Sequence, residues 1–145
     1  MFRHILIPTD GSTLASDAVD KGIALARAAG ARVTFLMVVE PFHVISLATA
    51  QLESTRAEYA RNAAAAAREV LAAAEAKAKA AGVDATTVEG EDDQPFRAIV
   101  EAADTLGCDL IAMASHGRRG MAALMIGSQT MKVLTNSKVP VLVYR

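Results

Sequence analysis

Short apolar runs alternate along the chain with segments in which apolar residues recur at helical spacing. The runs predict five strands: His4–Thr9, Arg32–Glu40, a weaker one at Val83–Gly90, Cys108–Ser115 and Val139–Arg145. The periodic segments between them predict four helices: Thr13–Ala29, Gln51–Ala81, Gln94–Leu106 and Ser128–Asn136. In the second helix, the face expected to dock on the sheet comprises Leu52, Tyr59, Val70 and Leu71.

The strands are too apolar for either face of the sheet to be exposed to solvent. This predicts a parallel sheet covered by helices on both sides. The expected architecture is one doubly wound α/β domain spanning residues 1–145. Such sheets bind ligands beyond the carboxyl ends of their strands, where the strand order reverses. The candidate loops are therefore Pro8–Ser12, Val39–Phe42, Gly90–Asp93 and Ser115–Gly127.

Composition narrows the function classes. The 145 residues are 52% hydrophobic and 21% charged, with a formal net charge of −1, so no strongly basic surface for nucleic acid is expected. No apolar run reaches the roughly 20 residues of a membrane span. The charged residue Asp10 comes too early in the chain for a signal peptide. Cys108 is the only cysteine, so no internal disulfide can form. A cytoplasmic location is therefore expected.

The segment "ASHGRRGMAALMIGSQT" carries the main functional signal. Gly117 and Gly120 follow an apolar strand and permit positive φ, while Gly127 and Ser128 open a helix whose first N–H groups suit a phosphate. A simpler interpretation is that the glycines only shape the connection and that Ser128 is the N-cap. The chain contains neither a P-loop motif nor the dinucleotide-binding glycine fingerprint.

The whole chain resembles the universal stress protein family. The resemblance rests on "ILIPTDGS", "TFLMVVEP", "ASHGRRG…IGSQTMKVL" and "VPVLVYR", in order and spacing. Nucleotide-binding members carry G-x2-G-x9-G-[ST], which here falls on Ala114, Gly117, Gly127 and Ser128, with alanine replacing the first glycine. That alanine would be harmful only if φ there were positive or if the ribose packed against its Cα. The resemblance implies a Rossmann-like sheet of order 3-2-1-4-5, similar to the adenine nucleotide alpha hydrolases.

The resemblance also implies a site for ATP with Mg²⁺. Asp10 would lie near the ribose or a phosphate-bound cation, and Val38 or Val39 would meet adenine partly through backbone groups. Met113 and Ala114 would lie under the ribose, while Pro8 and Thr9 complete the wall. Gly117, Gly127, Ser128 and Gln129 would cradle the phosphates. The full expected binding set is Pro8, Thr9, Asp10, Val38, Val39, Met113, Ala114, His116, Gly117, Arg118, Gly120, Gly127, Ser128, Gln129 and Thr130.

Several of these polar residues have structural alternatives. Asp10 could instead cap the helix that begins near Thr13, and Arg118 with Arg119 could be solvated loop charges rather than phosphate ligands. His116 lacks a visible nucleophile and orienting partner, so no catalytic residue is assigned. The acidic residues Glu89, Glu91, Asp92 and Asp93 could hold a cation, although complementing the dipole of the next helix is simpler.

The last strand bears on assembly. "VPVLVY" is apolar and carries no charge, so an uncovered sheet edge there would be a liability. Family members of this kind pair this edge with its copy, which implies a homodimer through Val139–Tyr144. The function expected first is a dimeric, ATP-binding switch or sensor with at most slow hydrolysis. A nucleotide-independent adaptor is the second. The third, an enzyme of the wider adenine-nucleotide class, lacks the required "SGGxDS"-like loop.

Overall fold

The computed structural model describes residues 1–43, 49–117 and 125–145. Its strands and helices follow the predicted order, with bounds within about two residues of those expected from the sequence. The strands are β1 (His4–Pro8), β2 (Arg32–Val39), β3 (Ala85–Glu91), β4 (Leu110–Ala114) and β5 (Val141–Tyr144). The helices are α1 (Thr13–Ala29), α2 (Thr49–Ala80), α3 (Pro95–Thr105) and α4 (Ser128–Asn136).

The five strands form one parallel sheet in the order β3-β2-β1-β4-β5, which confirms the expected topology. Two apolar cores lie on opposite faces of the sheet. On one face, Ile7 and Phe35 pack against α1 and α2; on the other, Leu36 and Ile111 pack against α3 and α4. Both faces are therefore covered, as the continuous apolar runs predicted. No helix in the described ranges is both long and apolar enough to cross a membrane.

The long helix α2 docks through only part of the predicted face: Leu71 is buried and Val70 packs against the core, as predicted. None of the side chains from Gln51 to Ala66 is buried, so Leu52 and Tyr59 do not pack on the sheet. The Tyr59 hydroxyl instead donates to the Glu40 carbonyl at 2.9 Å. The helix reaches the core through its second half, by way of Ala67, Leu71, Ala74 and Ala78. Small alanine side chains let the helix approach the sheet closely, and apolar periodicity alone did not reveal that.

The ends of α1 show which residues cap it. Ser12 is the N-cap, and its hydroxyl accepts a hydrogen bond from the N–H of Ala15 at 3.2 Å. The alternative of Asp10 as the cap is therefore wrong; its carboxylate accepts from the N–H of Ser12 at 2.9 Å, within the turn before the helix. Gly30 ends the helix in the left-handed conformation at φ 66°, as its position predicted.

Two titratable side chains are built into the core near the amino ends of the strands. The imidazole of His4 is 7% exposed, and its Nε2 lies 2.8 Å from Thr34 Oγ1. Burial, followed by the Arg32 guanidinium, lowers the pKa of His4. Burial also raises the pKa of the Cys108 thiol to about 11, so this cysteine is an unreactive buried hydrophobe, as expected.

The buried His4 predicts a loss of stability in mild acid. Its pKa is 6.5 in the unfolded chain and lower in the folded protein, so as the pH falls below 6.5 the unfolded state takes up the proton first. Between pH 7.5 and 5.5, the free energy of unfolding should therefore fall more in the wild type than in His4→Gln. Glutamine can keep a hydrogen bond to Thr34 but does not titrate. Urea denaturation at both pH values measures the difference, and parallel pH slopes would contradict this account.

Candidate functional site

The crevice of this sheet opens between β1 and β4. From β1 the chain turns to α1 on one face, and after the neighbouring β4 it reaches α4 on the opposite face. Adjacent strands whose following helices lie on opposite faces leave a crevice at their carboxyl ends, where doubly wound proteins bind ligands. The described start of the loop after β4 meets the loop after β1 at this point, where Gly117 lies against Asp10.

The amino end of α4 is anchored directly to the end of β4. The N–H of Gly127 donates to the carbonyl of Ser115 at 2.8 Å, and Gly127 is the N-cap at φ −60° and ψ 153°. Ser128 is thus the first residue of the helix, and the interpretation of Ser128 as the cap is wrong. As in any helix, the N–H groups of Ser128, Gln129 and Thr130 have no acceptor within the helix, and Gly127 has no side chain that could accept from them.

Gly117 and Gly127 line a cradle that a larger residue would fill. A Cβ on Gly117 would lie 2.7 Å from Asp10 Oδ2, so this backbone rests against the Asp10 carboxylate. A Cβ on Gly127 would lie 3.1 Å from the Ser115 carbonyl oxygen. Neither glycine has positive φ, so the conformational freedom that glycine permits at Gly117 is not used, and these positions favour glycine for close approach. Arg118 and Gly120, with Arg119, lie outside the described residues.

Three polar side chains around the start of α4 have contacts within the protein. The buried Thr130 hydroxyl donates to the Ala114 carbonyl at 3.1 Å, and Gln129 Oε1 accepts from the N–H of Phe96 at 2.9 Å. His116 is buried, with Nδ1 2.9 Å from Ser115 Oγ. The contacts of Thr130 and Gln129 hold α4 in place, while the backbone N–H groups of its first turn point along the helix axis towards the crevice.

The wall of the crevice comes from the ends of three strands. The N–H of Thr9 donates to the Leu36 carbonyl at 2.8 Å, and Asp92 donates to the Val39 carbonyl at 3.2 Å. The N–H and C=O groups of successive residues point to opposite sides of a strand. Those of Val39 therefore face β3, whereas those of Val38 face the space beyond Pro8, the last paired residue of β1. The sequence alone could not show which of Val38 and Val39 faces the crevice, because that depends on which residues of β2 pair with β1 and which pair with β3.

The opposite wall is apolar. Met113 and Ala114 are buried at the end of β4, and Pro8 is half-buried at the end of β1. No non-glycine residue in the described ranges has positive φ, so Ala114 is unstrained where the motif has glycine. The first of the two conditions that would make this alanine harmful is therefore absent.

The acidic residues after β3 have structural partners. Asp92 Oδ1 accepts from the N–H of Gln94 at 2.8 Å and pairs with Arg97 Nη2 at 2.9 Å. Asp93 Oδ1 lies 2.6 Å from His43 Nε2. Across the described ranges, no group of three or more His, Cys, Asp or Glu residues is arranged to hold a metal ion.

Ser115 is a part of the site that sequence reasoning did not single out. Its carbonyl accepts the N–H of Gly127 and its hydroxyl contacts His116, so it joins the strand end to the helix start. A backbone acceptor leaves no residue-type signal, and only its place directly after the apolar strand could have drawn attention to it.

Together the topology and the crevice define a doubly wound α/β protein in which a helix with a glycine N-cap begins beside a carboxylate. The chain matches the model of the universal stress protein family over residues 1–145, and it belongs to that family. A universal stress protein of Thermus aquaticus is 32% identical over 145 residues, covering 100% of both chains.

Solved structures show the same fold. The universal stress protein UspA from Lactobacillus plantarum superposes with a TM-score of 0.85 at 23% identity, covering 99% of this chain and 97% of that one. A universal stress protein solved in complex with cAMP is 29% identical, with a TM-score of 0.73, and covers 99% of this chain and 97% of its own.

Proposed function

We propose that this protein binds ATP with Mg²⁺ in the crevice between β1 and β4 and acts as a dimeric, nucleotide-dependent switch or sensor in a stress response. Any hydrolysis is at most slow. The observation that carries the proposal is the amino end of α4, whose N-cap Gly127 has no capping side chain and is anchored to Ser115, beside the Asp10–Gly117 contact. The cAMP complex of the 29% identical relative supports a nucleotide as the ligand class.

The phosphate half of the site consists of backbone donors. The N–H groups of Ser128, Gln129 and Thr130, together with the Ser128 hydroxyl, suit phosphate oxygens, and the helix dipole favours negative charge there. The close approach at Gly117 and Gly127 keeps side chains out of this space. Arg118 and Gly120 belong to the proposal through the family motif alone.

Asp10 accounts for the cation. Its carboxylate lies against Gly117, close to where the phosphates would pass, and like charges at such short range repel each other. A divalent cation held between Asp10 and the phosphate oxygens removes that repulsion, because hard oxygen ligands are those that Mg²⁺ prefers. The carboxylate and the donors of α4 thus fit the magnesium complex of a nucleotide better than the free anion.

The purine half pairs a backbone edge with apolar walls. The N–H and C=O of Val38 on the crevice side can match adenine, which offers an acceptor at N1 beside a donor at N6. Met113, Ala114 and Pro8 supply apolar contact. Guanine presents a donor at N1 beside an acceptor at O6, so this edge favours adenine.

Both halves are needed on energetic grounds. Charge-assisted hydrogen bonds contribute about 1.5–3 kcal/mol each, while association costs about 4–15 kcal/mol. Three or four phosphate contacts alone would hardly reach the roughly −8 kcal/mol of micromolar binding. The purine wall must supply the remainder.

The dimer half of the proposal rests on β5. This strand lies at an edge of the sheet, it contains only apolar residues and Tyr144, and Leu142 is 37% exposed. Pairing β5 with its copy about a two-fold axis would cover that edge.

Calorimetric titration of the wild-type protein tests the nucleotide proposal. Saturable binding of Mg-ATP is expected in the micromolar range, at least tenfold weaker with EDTA in place of Mg²⁺, and at least tenfold weaker for Mg-GTP because of the Val38 edge. Nucleotide carried through purification must be removed and identified first. Absence of heat with ATP, ADP, AMP and cAMP would favour the nucleotide-independent adaptor, and turnover above about one per second would favour an enzyme.

A further inference from the structure

The side chain of Gln129 reaches away from the crevice and joins two helices. Gln129 is the second residue of α4, and its Oε1 accepts the N–H of Phe96, the second residue of α3, at 2.9 Å. Gln94, the N-cap of α3, makes no side-chain capping bond to its own helix. Gln129 therefore caps α3 from the neighbouring helix.

The same side chain has a second contact that defines its orientation. Gln129 Nε2 donates to Gln94 Oε1 at 3.4 Å, and Lys132 Nζ donates to that same oxygen at 2.9 Å. Because the N–H of Phe96 requires an acceptor and Gln94 Oε1 requires donors, only one orientation of the Gln129 amide satisfies both.

These bonds continue to the purine side of the proposed site. The N–H of Gln94 donates to Asp92 Oδ1 at 2.8 Å, and the N–H of Asp92 donates to the Val39 carbonyl at 3.2 Å. A chain of hydrogen bonds thus runs from the end of β2, through the turn before α3, to the first turn of α4. This chain of hydrogen bonds runs outside the crevice, and it connects β2 and α4, the two elements that a bound nucleotide would also contact.

We infer that Gln129 is a positioning residue that holds the phosphate-binding turn of α4 at the correct distance from the purine wall, an inference that rests on the proposed function. Its side chain binds protein rather than phosphate, while its backbone N–H faces the ligand. Binding of a phosphate at the first turn of α4 then stabilises the Gln129–Phe96 bond, and by reciprocity that bond strengthens phosphate binding.

The test compares ADP with adenosine in the wild type and in Gln129→Met, which has similar length but no polar atoms. We expect the affinity for Mg-ADP to fall about five- to tenfold, as for one lost positioning hydrogen bond, with adenosine affinity unchanged within about twofold. Thr135→Ala, which removes hydroxyl contacts in the last turn of α4, is the matched control and should leave both affinities as in the wild type.

Amide exchange followed by NMR gives a second readout. The N–H of Phe96 should exchange at least about tenfold faster in Gln129→Met and should lose the protection that ADP gives it in the wild type. Gln129→Glu keeps an acceptor for Phe96 and should retain slow exchange in the ligand-free protein.

Two results would overturn the inference and are distinguishable. If the wild type binds both ligands and Gln129→Met keeps the wild-type ratio of ADP to adenosine affinity, Gln129 contributes stability only and the inference fails alone. If the wild type binds neither ligand, the proposed function fails and the inference with it.

Discussion

The double variant Gly127→Val, Ser128→Ala is expected to lose at least about a hundredfold in affinity for Mg-ATP and Mg-ADP. A Cβ at position 127 would lie 3.1 Å from the Ser115 carbonyl and 3.5 Å from His116 Cα, both backbone atoms that cannot rotate away. The two further methyl groups of valine force the start of α4 away from the strand end. The loss of two phosphate contacts at about 1.5–3 kcal/mol each accounts for that factor.

Calorimetric titration measures the effect, with circular dichroism and thermal unfolding confirming that the variant is folded. Thr135→Val serves as a control, because it places a β-branched residue of nearly the same volume in the last turn of the same helix, where the side chain is exposed. Wild-type affinity in a folded double variant would show that the phosphates do not bind at the amino end of α4.

The second large effect is expected at the edge of the sheet, where Val143→Pro should convert the proposed dimer to a monomer. The carbonyls of Pro140 and Tyr144 accept from the N–H groups of Ile111 and Ser115, on the β4 side. Backbone groups alternate along a strand, so the N–H and C=O of Val143 point outward from the sheet. Proline removes that outward donor without removing a bond to β4, and it is tolerated on edge strands. In a two-fold dimer the donor is lost twice, about 2 kcal/mol or more, which weakens association about thirtyfold or more.

Sedimentation velocity between about 1 and 50 µM distinguishes the outcomes, with Val143→Ala as the control that trims the side chain but keeps the N–H. The alanine variant should remain dimeric. A wild type that sediments as a monomer throughout this range would contradict the dimer. A Val143→Pro variant that remains dimeric would show that the interface is not formed by β5.

The sequence predicted the fold well for a physical reason that is local to each element. Strands covered on both faces have to be apolar throughout, and helices packed on one face have to repeat every 3.6 residues, so His4–Pro8 and Ser128–Asn136 were identifiable without tertiary information. The docking of α2 was not predictable in the same way. Its Leu52–Ala66 segment, in which no side chain is buried, and its segment with buried alanines have similar local patterns, so the pattern alone did not show which part packs on the sheet.

For the candidate site, the sequence indicated which residues belong to the crevice but not what each one does there. Gly117 was singled out because glycine permits positive φ, and Gly127 because it opens a helix. The structure shows that both positions favour glycine because Asp10 and the Ser115 carbonyl lie too close for a Cβ. Gln129 was expected at the phosphates, and its side chain instead accepts from Phe96, which is 33 residues away along the chain.

By itself, then, the sequence determined the order and type of the elements, the covered sheet, and the loop in which a phosphate site could form, because these follow from periodicity and from neighbours in the chain. Only the tertiary structure decided that Gly127 rather than Ser128 is the N-cap of α4, that the backbone groups of Val38 rather than those of Val39 face the crevice, and that α3 is capped from α4. Those three features depend on contacts between segments distant in sequence, and no local pattern of residue types records which atoms such contacts bring together.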